Sequence, residues 1–413
     1  MAKICQVWLD KSYLQNVLRN VESDDSIKVS EINVSSATAK GDNYASDIYR
    51  VAVKLSRIQG QKIDEEMSLV VKIALDEESP RGKLIAEGGL YTTELSIFHT
   101  VLPKINKLLE KCCPATQLSA RRIHVQYEKP THVILEDLAT AGFRMVERYS
   151  GLDLDHCLLA MRNLARLHAA SVALQEEEPD LLSNYRKGMY RKDAPLMFQV
   201  FFNSRIKSLA IEVARWSELC PKIAEKITKL SSGALYRKAW KACEFSEHEF
   251  NVLTHGDCWT NNMMFRYDES QKPVDHVFVD FQMSHRGSPA EDIHYFIGSS
   301  PSDDVRIHHR VSLLHEYYAS LVTTMKQLKC KREPLSFAEL DEALKMREIY
   351  EAIVAMTLLS TVTLEKGSEI DFSKSLNVDV VYENPGYRSS TYRKIMTRLL
   401  PIYDRNGFLD VEK

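Results

Sequence analysis

Apolar and polar residues alternate from Ile27 to about Leu75, and then give way to a longer period. The segments "IKVSEINVSSATAK", "SDIYRVAVKLSRI" and "EEMSLVVKIAL" are rich in Val and Ile and set apolar against polar residues in the period of a half-buried strand. "KGDNY" at 40–44 supplies a turn between the first two, and "QGQKIDE" separates the second from the third. Ahead of them, residues 6–20 carry Val7, Leu9, Leu14, Val17 and Leu18 and predict a short leading helix. One long helix is predicted over about 83–111, followed by strands near 120–128 and 131–137.

From Leu152 the period becomes helical. Leu154, Cys157, Leu158, Met161, Leu164, Ala165, His168 and Val172 form a stripe at 3.6-residue spacing. Further helical runs occupy about 195–245, 303–330, 336–366 and 388–402, and 252–282 returns to strand-like text, with "HVFVDF" the clearest case. The pattern predicts an α+β chain with a β-rich part at 1–137, a hinge near 137–150 and a mostly helical part at 138–413. There is no internal repeat or low-complexity tract.

Composition narrows what such a chain does. Its 413 residues, 44% hydrophobic and 27% charged, are enough for a large two-lobed core. A net charge of −3 gives no support to nucleic-acid binding. The amphipathic start "MAKICQVWLDKSYLQNVLRN" has no secretory h-region, and no later stretch is long and apolar enough to span a membrane. Eight cysteines without a CxxC pair exclude a disulfide scaffold and a structural zinc site, and read as mostly buried thiols in a reducing cytoplasm. Nothing in the sequence calls for an obligate protein partner.

The candidate chemistry begins at "NVLTHGDCWTNNMMF", 251–265, where His255, Asp257 and Asn262 stand between two apolar runs. Phosphoryl transfer needs an acceptor for the attacking hydroxyl's proton, with metal ligands close by. Asp257 with Asn262 five residues later has the spacing of a kinase catalytic loop. Asp280, in "HVFVDFQ", is the natural second ligand, and the amide-plus-carboxylate set suits Mg²⁺. Lys72 interrupts the apolar strand "LVVKIAL". Contact with ATP phosphates would explain it, as would a solvent-facing edge strand. A lysine so placed needs a carboxylate, and Glu94 in "YTTELSIF" is the best candidate, with Glu87 second. His255 reads as scaffolding and His168 as a satisfied core histidine. A His/Asp metallohydrolase built on His255, Asp257, Asp280, His285 and His294 lacks any supporting spacing.

The run "THGDCWTNNMMFRYDESQKPVDHVFVDFQMSHRGSPAEDIHYFI" closely resembles the catalytic segment of the CHK-kinase-like, or ecdysteroid kinase-like, proteins of arthropods. These are similar in turn to choline kinases and aminoglycoside phosphotransferases. "KGDNYASDIYRV", "LVVKIAL", "YTTELSIF", "VILEDL" and "LARLHAAS" follow the same family's order, so the resemblance runs from about residue 27 to 400. It implies a protein-kinase-like bilobal fold, an ATP-binding N-lobe and ATP-dependent phosphorylation of a hydroxyl on a small molecule, an ecdysteroid or a xenobiotic or plant compound. By the same resemblance Lys72 would hold the ATP phosphates with Glu94 beside it. Asp257 would be the base or hydroxyl-orienting group, with Asn262 and Asp280 on Mg²⁺. The loop 41–46, with Asn43 and Ser46, would cover the phosphates. The hinge "ILED" would offer backbone groups around Glu136 and Leu138 to adenine. Asp292 would be a buried carboxylate supporting the catalytic loop.

Two departures bear on the substrate. "GDNYAS" has one glycine where protein kinases have three, and Gln282 stands where their DFG segment has glycine. "SHRGSPAED" leads directly to a helix with no room for an activation loop, which argues against a protein substrate. The acceptor pocket is expected in 190–215, where Met197, Phe198, Phe201 and Phe202 would form an apolar wall or simply core, with helices of 303–365 completing it. The rivals are a choline- or ethanolamine-type kinase, and a binding protein that keeps the fold without the chemistry.

Overall fold

A computed structural model describes residues 8–37, 46–59, 61–114, 116–365, 368, 370, 372–376 and 381–411. The N-terminal half of the architecture is one antiparallel sheet in the order β1-β2-β3-β5-β4. Its strands are β1 (Lys28–Ser36), β2 (Ser46–Gln59), β3 (Gln61–Ala74), β4 (Arg122–Gln126) and β5 (His132–Glu136). Alternation divides their side chains between two faces. Val51, Val53, Leu55, Leu69, Val71 and Ile134 pack in one cluster with Leu14, Val17 and Leu18 of helix α1 (Lys11–Glu22). Val133 and Leu135 point the other way, into the larger core shared with the helices. Lys72, next to Val71, takes that second face. β3 is paired on both sides, with Lys72 opposite Ile48 and Val133, so an edge-strand role for the lysine is excluded.

The expected single helix at 83–111 is broken. A helix at Pro80–Gly88 ends on Gly89, whose φ of 68° is the left-handed conformation open to glycine. Helix α2 (Leu90–Ser96) starts there, and a π-helical turn at Ile97–Val101 leads into a helix at Leu102–Leu109. The Gly88-Gly89 pair redirects the chain, and α2 brings Glu94 in under the sheet.

The rest is mainly helical, as the period predicted. Helix α3 (Leu154–Glu177) packs against α6 (Arg310–Gln327), and α5 (Pro289–Ser299) packs against α7 (Glu348–Thr357). α4 (Leu196–Val213) lies beside α7. Two small antiparallel pairs interrupt the helices: β6 (Val252–Thr254) with β9 (His285–Gly287), and β7 (Met263–Tyr267) with β8 (Pro273–Phe278). The catalytic-loop sequence therefore runs from β6 to β7, and Asp280 follows β8. A backbone bond from Phe278 N–H to Leu118 C=O (2.8 Å) stitches β8 to the segment entering β4. The result is the β-rich lobe and mainly helical lobe of a protein-kinase-like fold.

No helix among the described residues is long and apolar enough to cross a membrane. The seven described cysteines are free thiols, but only Cys157 and Cys258 are fully buried. The others sit in partly open or exposed positions, against the expectation of mostly buried thiols.

Candidate active site

Residues far apart in the sequence meet on the inner face of the sheet. Lys72 Nζ donates to Glu94 Oε1 at 2.6 Å and to Asp280 Oδ1 at 3.2 Å. Glu87 is exposed, so Glu94 is the carboxylate that meets the lysine. The Tyr91 hydroxyl, from the same turn of α2, donates to the Lys72 carbonyl at 2.6 Å and fixes helix to strand. Burial works against the Lys72 charge, but Asp280 and Glu94 outweigh it and hold the ammonium above the ordinary lysine range. Glu94 is pushed up to about 7, chiefly by burial and in part by the nearby Asp280 charge, while Lys72 pulls it down. One cation is thus shared by two carboxylates.

Asp280 sits in the left-handed region at φ 68°, which an aspartate tolerates at a cost of order 1 kcal/mol. Its strand ends at Phe278, two residues earlier than the apolar text suggested. The next residue, Phe281, is buried edge-on against Phe98 (5.8 Å) and beside the His255 ring (4.7 Å), tying this segment to the helical run after α2. That packing holds the strained turn in place.

The loop between β6 and β7 is braced largely through its backbone. Asp292, on α5, accepts from the backbone N–H groups of His255 (2.6 Å) and Gly256 (2.9 Å), and from His168 Nε2 (3.0 Å). Burial disfavours the Asp292 charge, but the His168 hydrogen bond and charge and the loop N–H groups outweigh it and hold its pKa below 3.8. α5 is positioned by a capping box between Ser288 and Glu291, with Pro289 in its first turn. Gly256 has φ 79°, and a Cβ there would lie 2.0 Å from the Met283 carbonyl oxygen, so the loop requires glycine. His255 is buried and neutral: Nδ1 accepts from the Asp257 N–H (3.3 Å) and Nε2 donates to the Val279 carbonyl (3.2 Å). Its scaffolding reading fits this geometry, as does that of His168, which also bonds the Tyr317 hydroxyl (2.7 Å).

Asp257 is half-buried and held at both oxygens. Asn262 Nδ2 donates to Oδ2 (2.8 Å) and to the Asp257 carbonyl (3.0 Å), and the Tyr295 hydroxyl donates to Oδ1. Burial and the Asp280 charge push its carboxyl up to about 7, against the hydrogen bonds from Tyr295 and Asn262. A carboxylate poised near neutrality suits a general base. Tyr295 was missed from the sequence because "DIHYFI" reads as core. The signal was its spacing from Asp292, one helical turn away on the same face.

Lys72 is shared by Glu94 and Asp280, and the Asp280 charge also reaches Asp257, an excess of negative charge that a divalent ion would relieve. Asn262 spends its amide N–H groups on Asp257, which leaves its carbonyl oxygen without a hydrogen bond among the described residues. With Asp280 it makes an oxygen donor pair that fits Mg²⁺, whose remaining positions are filled by water and phosphate. Among the described residues no three His, Cys, Asp or Glu side chains form a metal cluster. His285 and His294 are bound elsewhere, to Glu291 (3.0 Å) and Glu351 (2.8 Å), which removes them from the alternative hydrolase site.

Other expected residues are less direct. Asn43 lies outside the described residues, and Ser46 is buried at the start of β2, opposite Ala74. Glu136 donates its N–H to the Arg121 carbonyl (3.0 Å), and the Leu138 carbonyl accepts from Phe143 (3.1 Å). Those two backbone groups of the hinge are therefore engaged within the protein. Phe198 and Phe202 are buried, Phe202 stacking near Tyr190 (4.7 Å), while Met197 and Phe201 are partly buried. They make an aromatic core beside α7.

Residues 40–330, well over half of the chain, match the profile of the ecdysteroid kinase-like family. No curated protein matches the chain. Among solved structures it is similar to an ethanolamine kinase of Plasmodium vivax (13% identity, 88% of this chain and 86% of that one, TM-score 0.38). It is also similar to the phosphotransferase APH(2'')-IIa in a ternary complex with streptomycin and ATP (14% identity, 86% and 98%, TM-score 0.38). A third likeness is to the choline kinase LicA of Streptococcus pneumoniae (10% identity, 95% and 99%, TM-score 0.37).

Proposed function

The chain belongs to the ecdysteroid kinase-like family, a group of kinase-like small-molecule phosphotransferases, and on that premise we propose that it phosphorylates a hydroxyl of a small molecule at the expense of ATP. The observation that carries this reading is the meeting of Lys72 with Glu94 and Asp280, 22 and 208 residues away in sequence. In this reading residues 1–137 are the ATP-binding lobe, and 138–413 hold the acceptor over Asp257 in the cytoplasm. The acceptor is an ecdysteroid or a xenobiotic or plant alcohol or phenolic.

Each residue then has a task set by its chemistry. Lys72 holds phosphate oxygens, and Glu94 keeps its ammonium from swinging away. The loop 41–46 and the hinge around Glu136 and Leu138 enclose the nucleotide. Asp257 orients the acceptor hydroxyl and takes its proton as the new oxygen–phosphorus bond forms and the bond to the leaving ADP breaks. Asn262 and Asp280 would hold Mg²⁺, which when bound offsets the charge of the phosphates. Only an aspartate held rigidly can do this, because a 1 Å error costs roughly 100-fold in rate.

The test is transfer of labelled γ-phosphate from ATP to ecdysone, several phenolics and choline, with mass spectrometry of the products. A phosphorylated steroid or phenolic, abolished by Asp257→Asn, supports the reading. Transfer to choline alone overturns the acceptor class, and turnover that survives Asp257→Asn overturns the assignment of the chemistry.

A further inference from the structure

Helix α5 touches the candidate site twice, once at the backbone and once at the reacting side chain. Asp292 holds the loop through the His255 and Gly256 N–H groups, and Tyr295, one turn on, gives its hydroxyl to Asp257 Oδ1. Asn262 holds the other oxygen, Oδ2, at 2.8 Å. A carboxylate with one donor on each oxygen cannot rotate about its Cβ–Cγ bond, yet each oxygen keeps a second lone-pair site for an incoming hydroxyl. Tyr295 is 1% exposed and its ring lies 6.3 Å from that of Tyr350, so the hydroxyl is delivered by packed helices and has little freedom to leave.

Resting on the phosphotransfer reading above, we propose that Tyr295 is the positioning residue of the Asp257 carboxylate: it fixes the plane in which the base meets the acceptor. A purely structural tyrosine would fill the space between α5 and α7 and satisfy its hydroxyl wherever convenient. The two roles separate because only the first lowers kcat while KM for ATP and Tm stay near wild type. The charged and polar groups facing Asp257 are few. Asn262 and Trp259 on the loop and Tyr295 on α5 face it with donor groups, and Asp280, after β8, faces it with a like charge. Lys72 is bound to Asp280 and Glu94.

The experiment compares the steady-state kinetics and Tm of Tyr295→Phe with those of wild type, using labelled ATP and the ecdysone, phenolic and choline panel of the transfer assay. Phenylalanine keeps the ring and the core volume. The expected result is a roughly 10- to 100-fold fall in kcat with KM for ATP little changed. Tm falls little, because the ring and its packing remain. Tyr350→Phe, which removes a hydroxyl from the same cluster without touching Asp257, leaves kcat close to wild type. Titrating the ATP-binding fraction normalises kcat to folded protein, which keeps the test should Tyr295→Phe fold poorly. A wild-type kcat in Tyr295→Phe, or a fall in kcat no larger than that of Tyr350→Phe, overturns the proposal. Turnover that survives Asp257→Asn instead overturns the phosphotransfer reading on which it rests, so the two failures are distinct.

Discussion

Asp292→Asn is the sharpest test of how the loop is built, because it changes one atom and keeps the shape. The native carboxylate is 1% exposed and accepts three hydrogen bonds: two from loop N–H groups and one from His168. Oδ2 serves both His255 N–H and His168 Nε2, and Oδ1 serves Gly256 N–H. An asparagine that keeps its oxygen at the two-donor site turns its own NH₂ toward Gly256 N–H, so one buried N–H is orphaned and two bonds lose their charge. Orphaning a buried donor costs about 1–3 kcal/mol, and hydrogen bonds to a charged group are worth about 1.5–3 kcal/mol each. With partial relaxation the total comes to about 3–5 kcal/mol, the range for breaking a buried charged pair.

That loss corresponds to a fall of roughly 3–6 °C in Tm for a chain of 413 residues unfolding cooperatively. It also frees Gly256 and shifts Asp257, so turnover drops roughly 100-fold if the loop moves by about 1 Å. Thermal melts read the first effect and steady-state kinetics the second. The pH dependence supplies a sign check. The Asp292 carboxyl is held below its ordinary 3.8, so its contribution is present above that pH and is lost as pH falls through the depressed value. The variant's melting curve therefore lacks this acid limb. A variant with wild-type Tm and turnover would refute the view that α5 braces the loop.

Three further outcomes are expected. Gly256→Ala places a Cβ 2.0 Å from the Met283 carbonyl at a positive φ, which costs about 2–3 kcal/mol and is read as a lower Tm with impaired turnover. Lys72→Met leaves Glu94 buried without its cation, so kcat/KM for ATP falls roughly 100-fold, and adding Glu94→Gln costs little more, a non-additivity that a double-mutant cycle measures. The Asp257 carboxyl, raised from 3.8 to about 7, binds its proton more tightly folded than unfolded. Wild-type protein free of nucleotide should lose stability as pH rises between those values, and Asp257→Asn should flatten that part of a plot of Tm against pH.

The legible parts of the sequence were those where a residue type conflicts with its surroundings. A lysine in an apolar strand, and an aspartate and asparagine between apolar runs, each break a local rule, and such breaks mark sites. β alternation even set the face of Lys72, since Leu69 and Val71 fill the opposite one. The period of the text likewise separated the sheet from the helices. It could not show that 83–111 is broken, because the stop depends on the left-handed backbone of one glycine, Gly89, within an otherwise helical pattern. It also ended the strand before Asp280 too late, because partly buried Val279 and buried Phe281 stay apolar after the ladder stops at Phe278 and so look like strand.

Tyr295 shows why chemistry can hide within the core. Its ring obeys every packing rule of α5, and only its terminal oxygen, a few atoms beyond the apolar part, faces Asp257. Asp292 is hidden from the pattern in another way: its charge could be that of any helix first turn, and only the family resemblance marked it as the support of the loop whose N–H groups point at it. Both lie on a helix that a hydrophobicity pattern assigns to burial alone. The reacting aspartate is thus set by a loop that the sequence advertises and by a helix that it conceals. A substitution on that helix can alter catalysis as strongly as one in the loop, while reading in the sequence as a change to ordinary core.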